Sequence, residues 1–312
     1  MFQVVMTSPR LAAPAQAILE RAGCTVHFMD PYPSAAAVAE LAGRVQADAI
    51  LSRQGAVTAA AMDASPRLRV VARHGVGVDD VDVVAATARG IVVTRAPGSN
   101  TQAVAEHTMA LMLALVKELR PLGAVIAAGQ WRDANAKVCD MAGLRLGLLG
   151  FGAIGQAVAR LASAFGMMVS AYDPQQPGAG APSLAALLAA SDVLSLHCPL
   201  LPQTRHIIDA DALAALPAGA FVVNTASGGL IDEAALKAAL DRRHIAGAGL
   251  DVFEDEPPAA AYQLRRHPHV IATPHVAGVT DGSLVAMGVM AAECIVAVLT
   301  GAEVPPERIV RP

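Results

Sequence analysis

The segment at positions 144–173, LRLGLLGFGAIGQAVARLASAFGMMVSAYD, constrains the fold of this chain more than any other. It predicts a buried strand, a glycine-rich turn, an alanine-rich helix and a second strand. Gly150 permits the tight turn, Gly152 lets a phosphate approach bare backbone, and Gly155 lets the helix pack closely on the strand. The first N–H groups of the helix can bind the phosphates. We therefore predict a dinucleotide site in preference to an ordinary glycine turn.

Asp173 ends the second strand of this segment, 18 positions after Gly155. A carboxylate at that point accepts hydrogen bonds from the ribose 2′-hydroxyl of NAD, and it repels the 2′-phosphate of NADP. The sequence therefore predicts NAD, or NADH, as the cofactor and disfavours NADP.

Composition narrows the classes of partner. The chain has 312 residues, of which 54% are hydrophobic and 16% charged, enough for two well-packed domains. The net charge is −4 and there is no run of lysine or arginine, so we expect a small-molecule ligand and neither nucleic acid nor a membrane. The four cysteines lie far apart, which predicts no metal site, no disulfide framework and a reducing cytoplasmic location.

The two ends of the chain carry further expectations. The first ten residues, MFQVVMTSPR, alternate like a first strand and predict no secretory signal. The most apolar window, Ser283–Thr300, contains Glu293 and many small residues. We expect it to form a helix buried between domains, because a membrane span needs about 20 strongly apolar residues.

The order of elements predicts two domains. From residue 1 to about 95, short apolar runs alternate with helical patterns, as in a small α/β unit with a parallel sheet. Thr101–Arg120 is predicted as one connecting helix that ends at Pro121. Six strands are predicted from Leu144 onwards, the full set of a doubly wound sheet. The helix over Ser283–Thr300 then crosses back to the first domain.

These elements predict an α/β protein with a Rossmann-type doubly wound NAD domain at 99–283. A smaller, flavodoxin-like α/β substrate domain is predicted at 1–98 and 284–312, and it is therefore discontinuous in sequence.

Polar loops follow three of the predicted strands, at positions 224–229, 251–257 and 273–278. Carboxyl ends of parallel strands share one edge of a sheet, so these loops should converge on one crevice. Hydride transfer to a ketone needs a proton donor at the oxygen, and a histidine held cationic by a carboxylate supplies one near neutral pH. His275 and Glu256 are the candidates. Glu254 and Asp255 adjoin Glu256 and could be mistaken for the partner carboxylate; exposed acids on a turn are the other interpretation of these two residues.

A second glycine loop lies at 73–79, RHGVGVD. The backbone N–H groups of Gly75, Val76 and Gly77 can form an anion nest that would take a substrate carboxylate. A plain tight turn is the alternative. His107, on the predicted connecting helix, is expected to be a structural histidine that pairs locally.

Seven motifs occur in order along nearly the whole chain: ARHGVGVDDVD at 72–82, APGSNTQAVAEHTMALML at 96–113, GFGAIG at 150–155, HCPL at 197–200, NTASGGLIDEAAL at 224–236, GLDVFEDEP at 249–257 and TPHVAG at 273–278. With them the chain resembles the D-isomer specific 2-hydroxyacid dehydrogenases. That family includes phosphoglycerate dehydrogenase, the glyoxylate and hydroxypyruvate reductases and the C-terminal binding proteins. Among these, the length suggests a short form without a regulatory domain.

The resemblance implies an NAD-dependent oxidoreductase that interconverts a small 2-keto acid and its D-2-hydroxy acid. It implies that His275 is the acid/base, that Glu256 is its carboxylate partner, and that the 75–77 amides bind the substrate carboxylate. It implies a homodimer that pairs through the NAD domain. The residues implied to surround the cofactor are Gly150, Gly152, Ala153, Ile154, Gly155, Asp173, Thr108, Pro199, Thr225, Ala226, Asp251 and Gly278.

One departure from the family pattern concerns the chemistry itself. The pattern is N-x-x-R-G, and its arginine binds the substrate carboxylate and keto oxygen; here the position is Ser227. A guanidinium is a bidentate, permanent cation that a hydroxyl does not replace. Losing such a contact costs roughly 100-fold or more in rate. As a second departure, Arg95 stands where relatives commonly carry asparagine, and we hypothesise that Arg95, Arg53 or Arg73 supplies the displaced charge.

Three explanations for Ser227 stay open. The substrate lacks the group that the arginine would hold, another cation replaces it, or the change abolishes function. Two alternatives to an ordinary dehydrogenase follow. One is an NAD(H)-sensing interaction protein of the same fold, and the other is a dehydrogenase variant with an atypical substrate.

Overall fold

The computed structural model of the protein describes residues 1–134, 136–176, 178 and 180–312. These residues form two compact units. Unit 1 comprises Met1–Asn100 and Gly278–Pro312, and unit 2 comprises Thr101–Ala277. The sequence predicts the boundaries at 98/99 and 283/284. The second one lies earlier because the turn before the last long helix already belongs to unit 1.

The first part of unit 1 alternates strands with helices. Several helices begin where a side chain accepts a hydrogen bond from a first-turn N–H, as Ser34 does from Ala37 and Asp82 from Ala85. The elements are β1 (Phe2–Met6), α1 (Ala13–Arg21), β2 (Cys24–Phe28), α2 (Ala35–Val45), β3 (Ala49–Ser52), α3 (Ala59–Ala64), β4 (Val70–Arg73), α4 (Val83–Ala88) and β5 (Val92–Thr94).

Unit 2 opens with two helices and continues as alternating strands and helices. Its elements are α5 (Thr101–Val116), α6 (Leu119–Ala127), β6 (Arg145–Leu149), α7 (Ala153–Ala164), β7 (Met168–Tyr172), α8 (Leu184–Ala189), β8 (Val193–Leu196), α9 (Ala210–Ala215), β9 (Ala220–Asn224), α10 (Glu233–Asp241), β10 (Ile245–Leu250) and β11 (Val270–Ala272).

The chain returns to unit 1 with α11 (Asp281–Thr300) and β12 (Ile309–Val310). A capping box between Thr280 and Ser283 begins α11, and Gly301 ends it with φ 78°. The helix is long and apolar enough, by length and composition, to cross a membrane, and 44% of its most apolar window is buried within the protein. In unit 1 it packs on α1 and on β3, β4 and β5.

The sheet of unit 1 has the order β12-β5-β4-β3-β1-β2. Strands β1 to β5 are parallel and follow the flavodoxin order 2-1-3-4-5, so the predicted flavodoxin-like fold is confirmed. β12 pairs antiparallel with β5 and was not predicted, since a strand of two residues has no periodicity to recognise. Apolar side chains cover both faces of the sheet.

The sheet of unit 2 has the order β11-β10-β9-β8-β6-β7, and every pair is parallel. The six predicted strands are confirmed. Their order from β6 is 2-1-3-4-5-6, whereas the classical doubly wound order is 3-2-1-4-5-6. A single parallel bridge between Ala171 and Gly180 occupies the place outside β7, so the classical third strand is reduced to one residue here.

One helix prediction was wrong. The helix expected over Thr101–Arg120 breaks earlier, because α5 ends at Val116 and Glu118 has the left-handed φ of 50°. Pro121 lies inside α6, in its first turn. A proline is tolerated there because the N–H that it lacks would have no partner within the helix.

Candidate active site

The glycine turn between β6 and α7 gives each of its three glycines a separate structural reason. Gly150 has φ +96°, and a Cβ there would lie 2.6 Å from the Cys198 nitrogen. A Cβ at Gly155 would lie 2.5 Å from the Gly150 carbonyl oxygen. At Gly152, which has φ −67°, no described atom would lie within 4 Å of a Cβ. Packing thus requires glycine at Gly150 and Gly155, while Gly152 leaves open space beside the first turn of α7.

Asp173 lies at this turn. Its Oδ2 accepts a hydrogen bond from the Phe151 N–H at 2.9 Å, and its Oδ1 accepts one from the Gln175 N–H at 2.9 Å. These bonds hold the carboxylate at the end of β7, next to the open space at Gly152. Each oxygen keeps acceptor capacity for a further donor.

His275 and Glu256 are in direct contact. The His275 Nδ1 lies 2.6 Å from the Glu256 Oε2, and the two side chains are 56% and 32% exposed. The other carboxylate oxygen, Oε1, accepts a hydrogen bond from the Phe253 N–H at 3.0 Å. The carboxylate is therefore oriented from its own loop, and it in turn orients the imidazole.

The neighbouring acid Glu254 has different partners. Its carboxylate pairs with Arg205 and lies 3.0 Å from the His206 Nε2. Its backbone N–H donates to Glu233 at 2.9 Å. Of the adjacent acids in this loop, the structure therefore pairs Glu256 with His275.

The loop that carries His275 is held by Asp251, which is fully buried. The Asp251 carboxylate accepts hydrogen bonds from the Val276 N–H at 2.9 Å and from the Ala277 N–H at 2.8 Å. It also accepts one from the Thr273 hydroxyl at 2.6 Å. The resemblance expected Asp251 beside the cofactor, and the structure engages its carboxylate in shaping this loop.

His107 contacts a residue that is distant in sequence. Its Nε2 lies 3.0 Å from the Thr273 Oγ1, 166 residues along the chain, so the expected local pairing is wrong. The next residue, Thr108, is buried; its hydroxyl donates to the Val104 carbonyl at 2.8 Å and lies 2.8 Å from the Thr225 hydroxyl. No pattern in the sequence links α5 to these loops, because the contacts form only when the helix packs on the sheet.

The loop after β9 carries Ser227. The Asn224 side chain bridges it, accepting from the Ala226 N–H at 3.0 Å and donating to the Ser227 carbonyl at 2.8 Å. A Cβ at Gly228 would overlap the Phe253 carbonyl, so this loop and the one after β10 are in close contact. Residues 225–229, 251–257 and 273–277 contain no lysine or arginine.

In the loop after β8, the Pro199 carbonyl accepts a hydrogen bond from the Thr204 hydroxyl at 2.7 Å. The thiol of Cys198 is mostly buried, and this burial raises its pKa to about 11. A thiolate nucleophile is therefore disfavoured at this strand end.

The second glycine loop lies in unit 1. Gly75 has φ +157°, and the Arg73 Nε donates to the Gly77 carbonyl at 2.9 Å. The guanidinium of Arg73 also pairs with Asp80 at 2.7 Å. The adjacent His74 is 5% exposed, and burial, with the nearby cation of Arg53, lowers its pKa to about 4.

The other residues proposed for substrate binding are also in unit 1. The Arg53 guanidinium donates to the Ser8 hydroxyl at 3.3 Å, and burial lowers the pKa of Arg53. Arg95 is exposed, and its backbone N–H donates to the Arg308 carbonyl at 2.8 Å. Gly278, expected beside the cofactor, belongs to this unit, where its carbonyl accepts from the Ser283 hydroxyl at 2.6 Å.

Comparison with known proteins decides the family. The family model described as the NAD binding domain of D-isomer specific 2-hydroxyacid dehydrogenases matches residues 109–277. This chain belongs to that family. The predicted recognition is thereby confirmed.

Two curated relatives and one solved structure illustrate the similarity. The D-3-phosphoglycerate dehydrogenase of Mycobacterium tuberculosis is 41% identical over 275 residues, which cover 85% of this chain and 52% of that protein. The hydroxypyruvate reductase of Thermotoga maritima is 42% identical over 232 residues, covering 72% and 75%. The TT0316 protein from Thermus thermophilus superposes with a TM-score of 0.87 at 37% identity, covering 99% and 100%. The chain thus spans about half the length of the phosphoglycerate dehydrogenases that it matches.

Proposed function

We propose that the protein is an NAD-dependent oxidoreductase that interconverts a small 2-keto acid and its D-2-hydroxy acid. The observation that carries the proposal is the 2.6 Å contact between the His275 Nδ1 and the Glu256 Oε2 at the carboxyl end of the unit 2 sheet. A histidine braced by a carboxylate is the proton donor and acceptor that reduction of a ketone requires. The same unit carries the dinucleotide turn and matches the NAD-binding domain of the family.

Glu256 determines which nitrogen of His275 exchanges the proton. Because the Nδ1–H of His275 is directed at the carboxylate, Nε2 is the nitrogen that exchanges a proton with the substrate. When bound, NADH supplies the hydride that forms the new C–H bond at C2 of the keto acid. The Nε2–H of His275 then protonates the oxygen, and in the reverse direction Nε2 removes the hydroxyl proton while Glu256 stabilises the imidazolium.

The residues around the glycine turn fit NAD. The open space beside Gly152 admits a phosphate to the first N–H groups of α7, and Asp173 is placed for the ribose hydroxyls. A 2′-phosphate would meet the Asp173 carboxylate, so we propose a preference for NADH over NADPH. The remaining residues assigned to the cofactor are Gly150, Ala153, Ile154, Gly155, Thr108, Pro199, Thr225, Ala226, Asp251 and Gly278.

For the substrate carboxylate we propose the backbone amides of Gly75, Val76 and Gly77. Arg73 donates a hydrogen bond to the Gly77 carbonyl and forms a salt bridge with Asp80, so it stabilises this loop. Arg53 and Arg95 are the better candidates for an additional positive charge. An Arg95→Ala variant with unchanged kcat/KM would refute the part assigned to Arg95.

A specific observation favours a second candidate substrate. Residues 225–229, 251–257 and 273–277 contain no lysine or arginine, and Ser227 takes the place of the family arginine. The guanidinium of Arg205 lies beside Gly229, but it is paired with Glu254. A guanidinium would repel a protonated imine, whereas a hydroxyl accepts a hydrogen bond from its N–H. An imine of a 2-keto acid is therefore the atypical substrate that this site would accept best, with hydride added to carbon and a proton from His275 added to nitrogen.

The test is NADH oxidation by the wild-type protein and Ser227→Arg. The panel is glyoxylate, hydroxypyruvate, pyruvate, phenylpyruvate and 2-ketogluconate, each with and without ammonia. Ser227→Ala is the matched control, because it removes the hydroxyl without adding charge. Turnover of one or more keto acids by the wild-type protein, lost in a His275→Gln variant, is the expected result. A broad gain of about 100-fold in Ser227→Arg would mark Ser227 as a lost catalytic contact.

Two other outcomes have different meanings. Turnover that requires ammonia and disappears in Ser227→Arg would identify the imine substrate. NADH binding without turnover of any compound by either protein would overturn the dehydrogenase proposal in favour of an NAD(H)-sensing interaction protein.

We also propose a cytoplasmic homodimer that pairs through unit 2. Among the described residues, α6 buries none of its side chains, while Leu119 and Ile126 on it are 58% and 56% exposed. Trp131, shortly after α6, is 79% exposed. Large apolar side chains exposed together indicate a surface that is covered in solution. Sedimentation of Leu119→Glu/Ile126→Glu as a monomer, with Met168→Glu as the matched control, would support this dimer; an unchanged mass would refute it.

A further inference from the structure

A chain of hydrogen bonds connects α5 to the loop that carries His275. The Thr273 hydroxyl donates to the Asp251 Oδ1 at 2.6 Å, and the His107 Nε2 lies 3.0 Å from the same hydroxyl oxygen. Because the Thr273 hydrogen is directed at Asp251, its oxygen accepts from His107. This arrangement places the His107 ring proton on Nε2.

Asp251 also binds the backbone of the loop that carries His275. Its carboxylate accepts from the Val276 and Ala277 N–H groups, and its carbonyl accepts from the His275 N–H at 2.8 Å. His275 itself has φ +53°, a backbone conformation that residues other than glycine rarely adopt. Such a conformation persists when the surroundings over-determine it.

We propose that His107 is a positioning residue for His275. Its Nε2–H holds the Thr273 oxygen, which fixes the Thr273 hydroxyl on Asp251 and thereby keeps residues 273–277 in the shape that presents the imidazole to Glu256. His107 lies within reach of Asp251 as well, with Nε2 3.6 Å from Oδ1, and its side chain is 23% exposed. The kinetic part of this proposal rests on the proposed dehydrogenase function.

The kinetic test separates the hydrogen-bond donor from the bulk of the ring. His107→Leu removes the donor and keeps a side chain of roughly similar size, while His107→Gln keeps an N–H at a similar reach. We expect His107→Leu to lower kcat about 10- to 100-fold with KM for NADH changed less than about threefold, since a misplaced catalytic group costs up to about 100-fold. We expect His107→Gln to recover most of that loss. Glu106→Gln, on the same helix and exposed, is the matched control.

Thr273 tests whether the residues act as one unit. Thr273→Val removes the hydroxyl with little change of shape, and Thr273→Ser keeps it. We expect Thr273→Val to lower kcat as His107→Leu does, and the double variant to be no slower than either single one. Multiplied losses in the double variant, a kcat of His107→Leu within twofold of wild type, or no rescue by His107→Gln would each overturn the proposal.

A measurement without turnover separates this proposal from the dehydrogenase function. In wild-type protein at neutral pH, 15N–1H correlations of the histidine rings should show His107 as the Nε2–H tautomer. In His107→Leu and Thr273→Val, the His275 ring signals should shift in the same direction. An Nδ1–H tautomer for His107, or unchanged His275 signals, would refute the positioning role even if no substrate were turned over.

Discussion

Gly152→Ala separates the binding of NADH from folding more cleanly than any other change at the glycine turn. An alanine fits the backbone at this position, with φ −67° and ψ −165°, and no described atom would lie within 4 Å of its Cβ. The free energy of unfolding should therefore change by less than about 1 kcal/mol, because alanine restricts the unfolded chain but is a poorer N-cap of α7 than glycine, and the two effects oppose each other.

The effect on NADH affinity should be large. The added methyl group occupies the space through which a phosphate would reach the first turn of α7. Loss of one charge-assisted hydrogen bond costs about 1.5–3 kcal/mol, which corresponds to a Kd raised roughly 10- to 150-fold. Titration calorimetry with NADH gives the affinity, and thermal unfolding of the same samples gives the stability.

Two variants complete the experiment. Gly155→Ala puts a Cβ 2.5 Å from the Gly150 carbonyl oxygen, so it should destabilise unit 2 by about 1–3 kcal/mol. Gly282→Ala, in α11, meets no described atom within 4 Å and should change neither property beyond about 1 kcal/mol. NADH affinity equal to wild type in Gly152→Ala would refute the assigned phosphate path, and an unaltered Tm in Gly155→Ala would refute the packing argument.

Three other predictions concern single side chains. Asp173→Ser should shift the ratio of kcat/KM for NADPH to that for NADH at least tenfold toward NADPH, as compared in steady-state assays. Glu256→Gln should lower kcat about 100-fold while Glu254→Gln changes it less than about threefold, and equal losses would contradict the pairing of Glu256 with His275. The pKa of His74 is about 4 in the folded protein against 6.5 ordinarily, so as pH falls from 6.5 the unfolded chain gains a proton that the folded one does not, and stability falls. By pH 4 this destabilisation amounts to about 3 kcal/mol. Between pH 8 and pH 4, the free energy of unfolding measured in urea should therefore fall by about 3 kcal/mol less in His74→Gln than in the wild-type protein.

The local features of this fold were predictable from the sequence because each depends on neighbours along the chain. The buried strands of both sheets are short apolar runs, and their number in unit 2 was correct. The turn at Gly150 is recognisable because its left-handed φ of +96° requires glycine in sequence with the strand before it and the helix after it. The convergence of the loops after β9, β10 and β11 was predicted from the parallel topology, because the carboxyl ends of parallel strands lie at the same edge of a sheet.

The tertiary structure decided what depends on partners distant in sequence. It gave Glu254 its own partners, Arg205 and His206, which the sequence did not predict, while the pairing of Glu256 with His275 was already expected from the family resemblance. It reduced the third strand of the doubly wound order to the single bridge at Gly180. It brought His107 to Thr273 across 166 residues of chain. Periodicity and turn chemistry report on a few neighbouring residues, whereas these contacts depend on how a helix packs on a sheet, which no local pattern specifies.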